Sequence, residues 1–479
     1  MIKMSENITE KNKSNIFASP YFVLVVLMVG VFMIALDSYI FSPAVVTIVR
    51  YFNTSYTWVA WVMTIYMLVS TAVMPLAGKL SDVYGRKRIY IAGVALFTIG
   101  SVLSSISWDI YSLIAFRAVQ AVGAGIILPA ALAAMGSAST PDKQGKMMGA
   151  LMAMSALAMI VGPNIGGYVI QNFGWRAVFY INIPVGVLGV ILALGFKESY
   201  GRAKHHIDVI GASLLAGGLA AILLGLVRLE TLQLTDITVF PLFAASLIIG
   251  ILFVWFERRT TDPMLDISLI SRGDVLSLNL CIMFVFFGLI SAMSYVSSFA
   301  QLVLHMGIQD SGTILTPLSI SMFLFGLVGG ALLDKYGFKP MLIICGVIMS
   351  IGLAAMTYYV TDSLSLAITL VILGMGMGTG MAAFQIALLS ITPGTEKGTS
   401  TGILMTFRGI GGVIAPVIGG YFLNQGQMKT ITYSQAFNDI FLTATAASVI
   451  AMALIVYFII RTRKIGKPTA PVPQIVIKQ

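Results

Sequence analysis

The chain has 479 residues, of which 58% are hydrophobic and 10% charged, against about 25% charged in ordinary soluble domains. A chain this apolar cannot cover its surface with water-compatible groups, so lipid is its expected solvent. The net charge of +10 does not point to nucleic acid, because the basic residues are scattered among short loops and form no compact basic stretch. Two cysteines, Cys281 and Cys345, lie inside apolar runs, and there are three histidines in all. Neither a disulfide framework nor a zinc centre is expected.

A membrane-crossing helix needs about 20 mostly apolar residues. The polar, lysine-bearing stretch from Met1 to about Ser19 precedes the first such run. That run contains an aspartate and no small-residue cleavage site within reach, so it is expected to stay as a first helix rather than be removed. Apolar runs follow near 20–45, 56–77, 89–107, 110–137, 147–170, 177–196, 207–228, 237–256, 275–304, 312–333, 340–359, 364–391, 399–423 and 437–460. They are continuous rather than alternating, and lipid admits only helices or closed barrels. The expected fold class is an all-α membrane protein with fourteen transmembrane helices.

The charges give the predicted spans an orientation. With the N-terminus inside, the inner segments hold Lys3, Lys11, Lys13, Lys79, Arg86, Lys87, Arg88, Lys143, Lys146, Lys197, Arg202, Lys204, Arg258, Arg259, Arg272, Lys335, Lys339, Lys397, Arg461, Arg463, Lys464, Lys467 and Lys478, which is 23 basic residues. The outer loops hold Arg50, Arg176, Arg228 and Lys429, which is 4. This is a strong positive-inside bias, with both termini cytoplasmic and the protein multi-pass in the cell (inner) membrane.

The chain also repeats itself. Gly78-Lys-Leu-Ser-Asp82-Val-Tyr-Gly85 matches Gly330-Ala-Leu-Leu-Asp334-Lys-Tyr-Gly337 at an offset of 252. Gly162-Pro163-Asn164-Ile165-Gly166-Gly167-Tyr168 faces Ala415-Pro416-Val417-Ile418-Gly419-Gly420-Tyr421 at an offset of 253. Each half is therefore expected to be a six-helix bundle, residues 1–200 and 275–479, with a two-helix central insertion and cytoplasmic loop over 201–274. Parallel six-span halves around a central site are a transporter architecture.

Several motifs carry a family resemblance. Gly78 to Gly85 with Arg86-Lys87-Arg88 resembles the signature loop of the major facilitator superfamily. Arg117-Ala-Val-Gln120-Ala-Val-Gly123-Ala-Gly125 is similar to the fourth-span motif of its proton-coupled members, and Gly162-Pro163-Asn164-Ile165-Gly166-Gly167 to the antiporter motif of its exporters. Leu36-Asp37, Trp175-Arg176 and Asn182-Ile183-Pro184 resemble the fourteen-span drug:proton antiporters, although after Leu36-Asp37 this chain has Tyr39, Ser42 and Pro43 where that family usually has a Thr, an Asn and a later Pro. The second half carries Leu370 where the repeat would place an equivalent of Arg117. The resemblance implies the major facilitator fold and export driven by proton entry, with alternating access to the two sides.

The residues themselves suggest roles. Gly78, Asp82, Gly85, Arg86, Asp334 and Gly337 are expected at a cytoplasmic gate. Asp82 would sit against the N-terminus of the span starting near Thr399, where the helix dipole favours a carboxylate, and Asp334 would mirror it. Gly162, Pro163, Gly166 and Gly167 would let a helix bend and pack closely. Intramembrane charge is expensive and is by default functional; three charged residues lie deep in the spans, Asp37, Arg117 and Arg408. A carboxyl poised between burial and a guanidinium can take up and release a proton, so Asp37 is the expected proton carrier and Arg117 its tuning partner. Arg408 would bind an anion or exposed carbonyls. Trp61, Tyr66, Gln120, Asn164, Gln301 and Gln385 are further substrate-binding candidates.

No P-loop sequence occurs and no long hydrophilic segment could house an enzyme. The expected function is proton-coupled export of amphipathic drugs or hydrophobic compounds by a monomer, with no cofactor and with lipid, protons and a small molecule as its partners. The alternatives are a dedicated exporter of a single anionic metabolite and a non-transporting membrane sensor or scaffold.

Overall fold

A computed structural model describes residues 19–138, 141–199, 208–232, 239–260, 267–392 and 397–462. The first half contains α1 (Pro20–Ile40), a 3-10 turn (Ser42–Ala44), α2 (Val45–Phe52), α3 (Tyr56–Tyr84), α4 (Arg86–Ser105), α5 (Ile110–Ala138), α6 (Pro141–Phe173), α7 (Ala177–Tyr180) and α8 (Asn182–Leu194). A hairpin of α9 (Val209–Leu232) and α10 (Val239–Glu257) follows. The second half contains α11 (Ile267–Ile270), α12 (Gly273–Leu302), α13 (Ile308–Thr313), α14 (Thr316–Tyr336), α15 (Phe338–Tyr358), α16 (Ser363–Ile391), α17 (Lys397–Gln427) and α18 (Tyr433–Arg461).

Local chemistry sets the helix ends. Ser19 caps α1 by accepting from the Tyr21 amide at 3.3 Å, with Pro20 as the first helical residue. Gly85, at φ +105°, joins α3 to α4, and Gly337, at φ +80°, joins α14 to α15; only glycine adopts such angles without strain. The start of α5 and the start of α16 use the same device. Ser112 donates its amide to Asp109 Oδ1 at 2.7 Å, and Ser365 donates its amide to Asp362 Oδ1 at 2.8 Å. Both serine hydroxyls accept from the aspartate amide at 3.1 Å. These residues are related by the offset of 253, so the repeat extends to the caps.

Among the described residues, twelve spans are long and apolar enough to cross a membrane. The expectation of fourteen is thus corrected to twelve. The central runs do fold, as the α9–α10 hairpin, of which the shorter apolar helix Pro241–Glu257 is what the described side chains cover. Much of α9, including Arg228 and Glu230 near its end, has side chains outside the described residues. So do both termini with Lys3, Lys11, Lys13, Arg463, Lys464, Lys467 and Lys478, the stretch with Arg202 and Lys204, and the side chains of Lys143, Lys146, Lys397 and Thr399.

Packing repeats between the halves. In the first, α5 packs on α3 and α4, α1 on α6, and α4 on α8; in the second, α16 packs on α14 and α15, α12 on α17, and α15 on α18. The halves meet along two seams, α3 with α17, and α6 with α13 and α14. The α9–α10 hairpin lies against the first seam, where Leu219 and Ala220 join Trp61, Leu68, Val413 and Val417. Large apolar side chains such as Leu247, Ile251, Leu327, Ile351, Ile368 and Val449 are exposed. In water such a surface would aggregate; in lipid it is the expected outer face.

Candidate functional site

A buried polar cluster lies inside the first bundle, where α1, α5 and α8 meet. The Arg117 Nη1 group donates to Asp37 Oδ2 at 2.6 Å and to Gln120 Oε1 at 2.9 Å. Asp37 Oδ1 accepts from Gln120 Nε2 at 2.9 Å and from Asn182 Nδ2 at 2.8 Å. Asn182 also donates to the Ser101 hydroxyl at 3.1 Å, which in turn donates to the Phe179 carbonyl at 2.9 Å. Asp37 is 1% exposed and Arg117 2%, so this pair is shielded from water on every side. The guanidinium is framed by aromatic rings, with Tyr66 at 4.1 Å, Phe41 at 5.5 Å and Phe179 at 5.7 Å. Its Nε has no hydrogen-bond partner.

The second bundle holds no counterpart. Positions equivalent to Arg117 and Gln120 are Leu370 and Leu373, both fully buried. The backbone frame around them is nonetheless the same. Gly100 of α4 lies against the Gln120 backbone, and Gly352 of α15 against the Leu373 backbone. One helix crossing is thus used twice, once around charge and once around hydrocarbon.

The other candidates are placed as follows. Gln120 and Tyr66, expected to meet substrate, belong to the charged cluster. Asn164 and Gln301 join the two halves at the face opposite the Asp82 loop. There Asn164 Nδ2 reaches Thr316 Oγ1 at 2.7 Å, and Gln301 Nε2 donates to the Pro43 carbonyl at 3.1 Å and to Ser311 at 2.8 Å. Ser42 donates to the Met293 carbonyl at 2.8 Å, Gln427 to the Thr54 carbonyl at 3.0 Å, and Ser319 to the Met159 carbonyl at 3.0 Å. Trp61 is buried in the α3–α17 seam. Gln385 donates to Thr401 at 2.9 Å, linking α16 to α17.

The glycine motif serves this same closed side. Gly162 and Gly166 face Tyr39 and Ile40 of α1, while Gly167 faces Gln309 and Ile308 of the other half. A Cβ on Gly167 would lie 2.8 Å from the Gln309 carbonyl oxygen. Pro163 lies within α6, and its carbonyl fills the space beside Gly312. The second copy is built alike, with Gly419 against Tyr295 of its own bundle and Gly420 against Ala60 of the other.

The expected latch of Asp82 against the start of α17 falls on side chains that lie outside the described residues. Asp82 pairs with Arg86 at 2.8 Å, one helical turn along its own loop. Asp334 is exposed. A Cβ on Gly78, Gly149, Gly326, Gly330 or Gly402 would meet nothing within 4 Å. On the Asp82 face Glu198 caps a helix start, a role that followed from no sequence argument. It accepts from the Lys87 amide at 2.9 Å and the Arg88 amide at 3.2 Å, at the N-terminus of α4.

Arg408 of α17 lies 4.2 Å over the Phe286 ring of α12, with Met405 Sδ 3.9 Å from its Nη1. No group of three or more metal-ligating side chains occurs among the described residues.

These features agree with the comparisons to known proteins. The Major Facilitator Superfamily model matches residues 27–265 and 275–477. Multidrug transporter protein MdtP of Bacillus subtilis (strain 168) is 32% identical over 410 residues, covering 85% of this chain and 76% of that protein. Riboflavin transporter RibZ of Clostridioides difficile (strain 630) is 29% identical over 462 residues, covering 93% of this chain and 98% of that protein. A crystal structure of the peptide transporter POT in complex with sulfate superposes with a TM-score of 0.68 at 15% identity, over 93% of this chain and 95% of that one. That last likeness is one of fold alone. The chain belongs to the major facilitator superfamily, and it is a membrane transporter rather than an enzyme.

Proposed function

We propose that this transporter is a proton-coupled exporter of amphipathic drugs, of the drug:proton antiporter kind, working as a monomer in the inner membrane. The observation that carries the reading is the buried Asp37–Arg117 pair with Gln120 and Asn182 as its hydrogen-bonding frame. An ionised Asp37 accepts three hydrogen bonds there. A proton on Oδ2 turns an acceptor into a donor facing Arg117, so the pair must separate. Arg117 keeps Gln120 Oε1 as a partner, which gives the guanidinium a place to remain while Asp37 is neutral. Proton uptake therefore changes how α1 and α5 are held together, and these helices belong to the bundle that must rock against the other.

The Asp82 face is taken as cytoplasmic on the charge bias, which makes the described arrangement open to the inside and closed to the outside. In the opposite arrangement Asp82 would leave Arg86 for the start of α17. The multidrug name of a relative supports an amphipathic cargo. The test is transport by purified protein in liposomes under an imposed pH gradient. Export of a drug should be matched by proton entry, and Asp37→Asn should remove the proton flux. Proton exchange that persists unchanged in that variant refutes the role given to Asp37.

A further inference from the structure

We infer that Arg408 is the receptor for an anionic group on the cargo, so that the central site favours acidic amphipathic compounds, above all aromatic or alkyl carboxylates. The inference rests on the exporter reading above and narrows its substrate class.

Three charged residues lie deep in the spans, and two neutralise each other. Arg408 is the third. No ion pair involves it among the described residues. Its polar contact is the Met405 sulfur at 3.9 Å, which is a weak acceptor, and one face of its guanidinium is covered by Phe286. An unpaired cation inside a membrane protein is costly and is retained for a use. The ring contact offsets only part of that cost and covers the flat face of the guanidinium rather than its donor edges.

Its placement is between the halves. Arg408 is on α17, Phe286 on α12, and Tyr39 of α1, in the other bundle, is within electrostatic reach. The next residue, Gly409, lies against Thr71 of α3. The half-buried guanidinium thus lies against Phe286 of α12 at the place where α17 packs on α3 of the other bundle. Met405, which is exposed, and Met67, beside Gly412, add polarizable apolar surface nearby. A planar fork of donors beside apolar walls matches a carboxylate on a hydrophobic body, because the carboxylate accepts two parallel N–H bonds. A cationic drug would be opposed by the same charge.

The test uses three probes that share one naphthalene body and differ in one substituent, a carboxylate, a carboxamide or a methylammonium. Binding is measured by titration calorimetry on the full chain without a pH gradient, so a failure of proton coupling leaves the result intact. The wild type should bind the carboxylate about tenfold or more tightly than the amide, as expected of charge-assisted bonds, and the ammonium most weakly. R408Q should lose that preference while retaining amide binding, which shows that it is folded. R408K should keep part of the preference, since it retains charge without the fork. A wild type with no preference for the carboxylate, or an R408Q variant with its preference unchanged, overturns the proposal.

Discussion

Replacing Asp37 with asparagine changes one oxygen to an amide nitrogen and upsets the balance of the first bundle. The asparagine side chain would keep the oxygen that accepts from Gln120 and Asn182, but its amide would stand where Asp37 Oδ2 accepts from Arg117 at 2.6 Å. Donor would then face donor. Arg117, only 2% exposed, would be left as a buried charge with no acid partner, which costs about 3–5 kcal/mol. Its contacts with Tyr66, Phe41 and Phe179 exist already and cannot compensate. The single variant should therefore unfold at clearly lower temperature or denaturant than wild type. Combining it with Arg117→Gln removes the orphaned charge and should return more than half of the lost stability, although proton coupling stays absent. Intrinsic tryptophan fluorescence suits the measurement, because Trp58, Trp61, Trp108 and Trp175 are all in the first bundle. If the double variant is no more stable than Asp37→Asn alone, the energy does not reside in the pair and the argument fails.

Three other outcomes can be checked. Gly85→Ala forces a side chain into φ +105° and within 2.6 Å of the Glu198 carboxyl carbon, whereas Gly337→Ala meets strain alone at φ +80° with open space beside it; the first should cost more, by about 1–3 kcal/mol, and Glu198→Ala should erase the difference in thermal unfolding. Gly167→Val wedges α6 away from Gln309 and should make a cysteine placed at Ser42 react with a membrane-impermeant thiol reagent from the closed face, where wild-type geometry keeps it protected. The amide and hydroxyl of Ser112 hold the Asp109 carboxyl below its ordinary value of 3.8, and those of Ser365 do the same for Asp362. These depressed values mean that each cap contributes fully above the unfolded carboxylate range and is lost only as pH falls through the lower folded value. Carboxyl NMR should find both midpoints below 3.8, and a midpoint at or above it would contradict the bonding described.

The sequence exposes the expensive features and hides the cheap ones. Asp37 and Arg117 stand out because charge in a membrane demands a reason, but nothing in composition ties Asn182 or Ser101 to them, since neutral polar residues satisfy many partners equally. Gln120 reads as a substrate contact for the same cause. The helix count shows a different limit. A charge split between loops tests whether each later loop falls on the correct side, so it detects an error of one span and is blind to an error of two. The α9–α10 hairpin enters as a pair, and removing it leaves every later loop where it was. Asp82 reads as a contact across the bundle interface, yet its partner Arg86 is legible at the i, i+4 spacing. The paired caps at Asp109 and Asp362 are present at the repeat offset and become visible once the geometry says what to compare.

The hydrogen bonds that close the face opposite the Asp82 loop come from Ser42, Asn164, Gln301, Ser319 and Gln427 to carbonyl or hydroxyl oxygens. None of these groups is ionic. Each such bond contributes about 1 kcal/mol net, so this gate can open thermally without moving charge out of a low dielectric. It also gives dissolved salt nothing to screen. The other rim carries Asp82, Arg86, Arg88, Asp334, Lys335 and Lys339, where ions act within about 8 Å at physiological strength. The two rims of one molecule therefore differ in chemistry, neutral hydrogen bonds on one and charged side chains on the other. Ionic strength acts on the pairs of the Asp82 rim and leaves the neutral bonds across the opposite face unscreened.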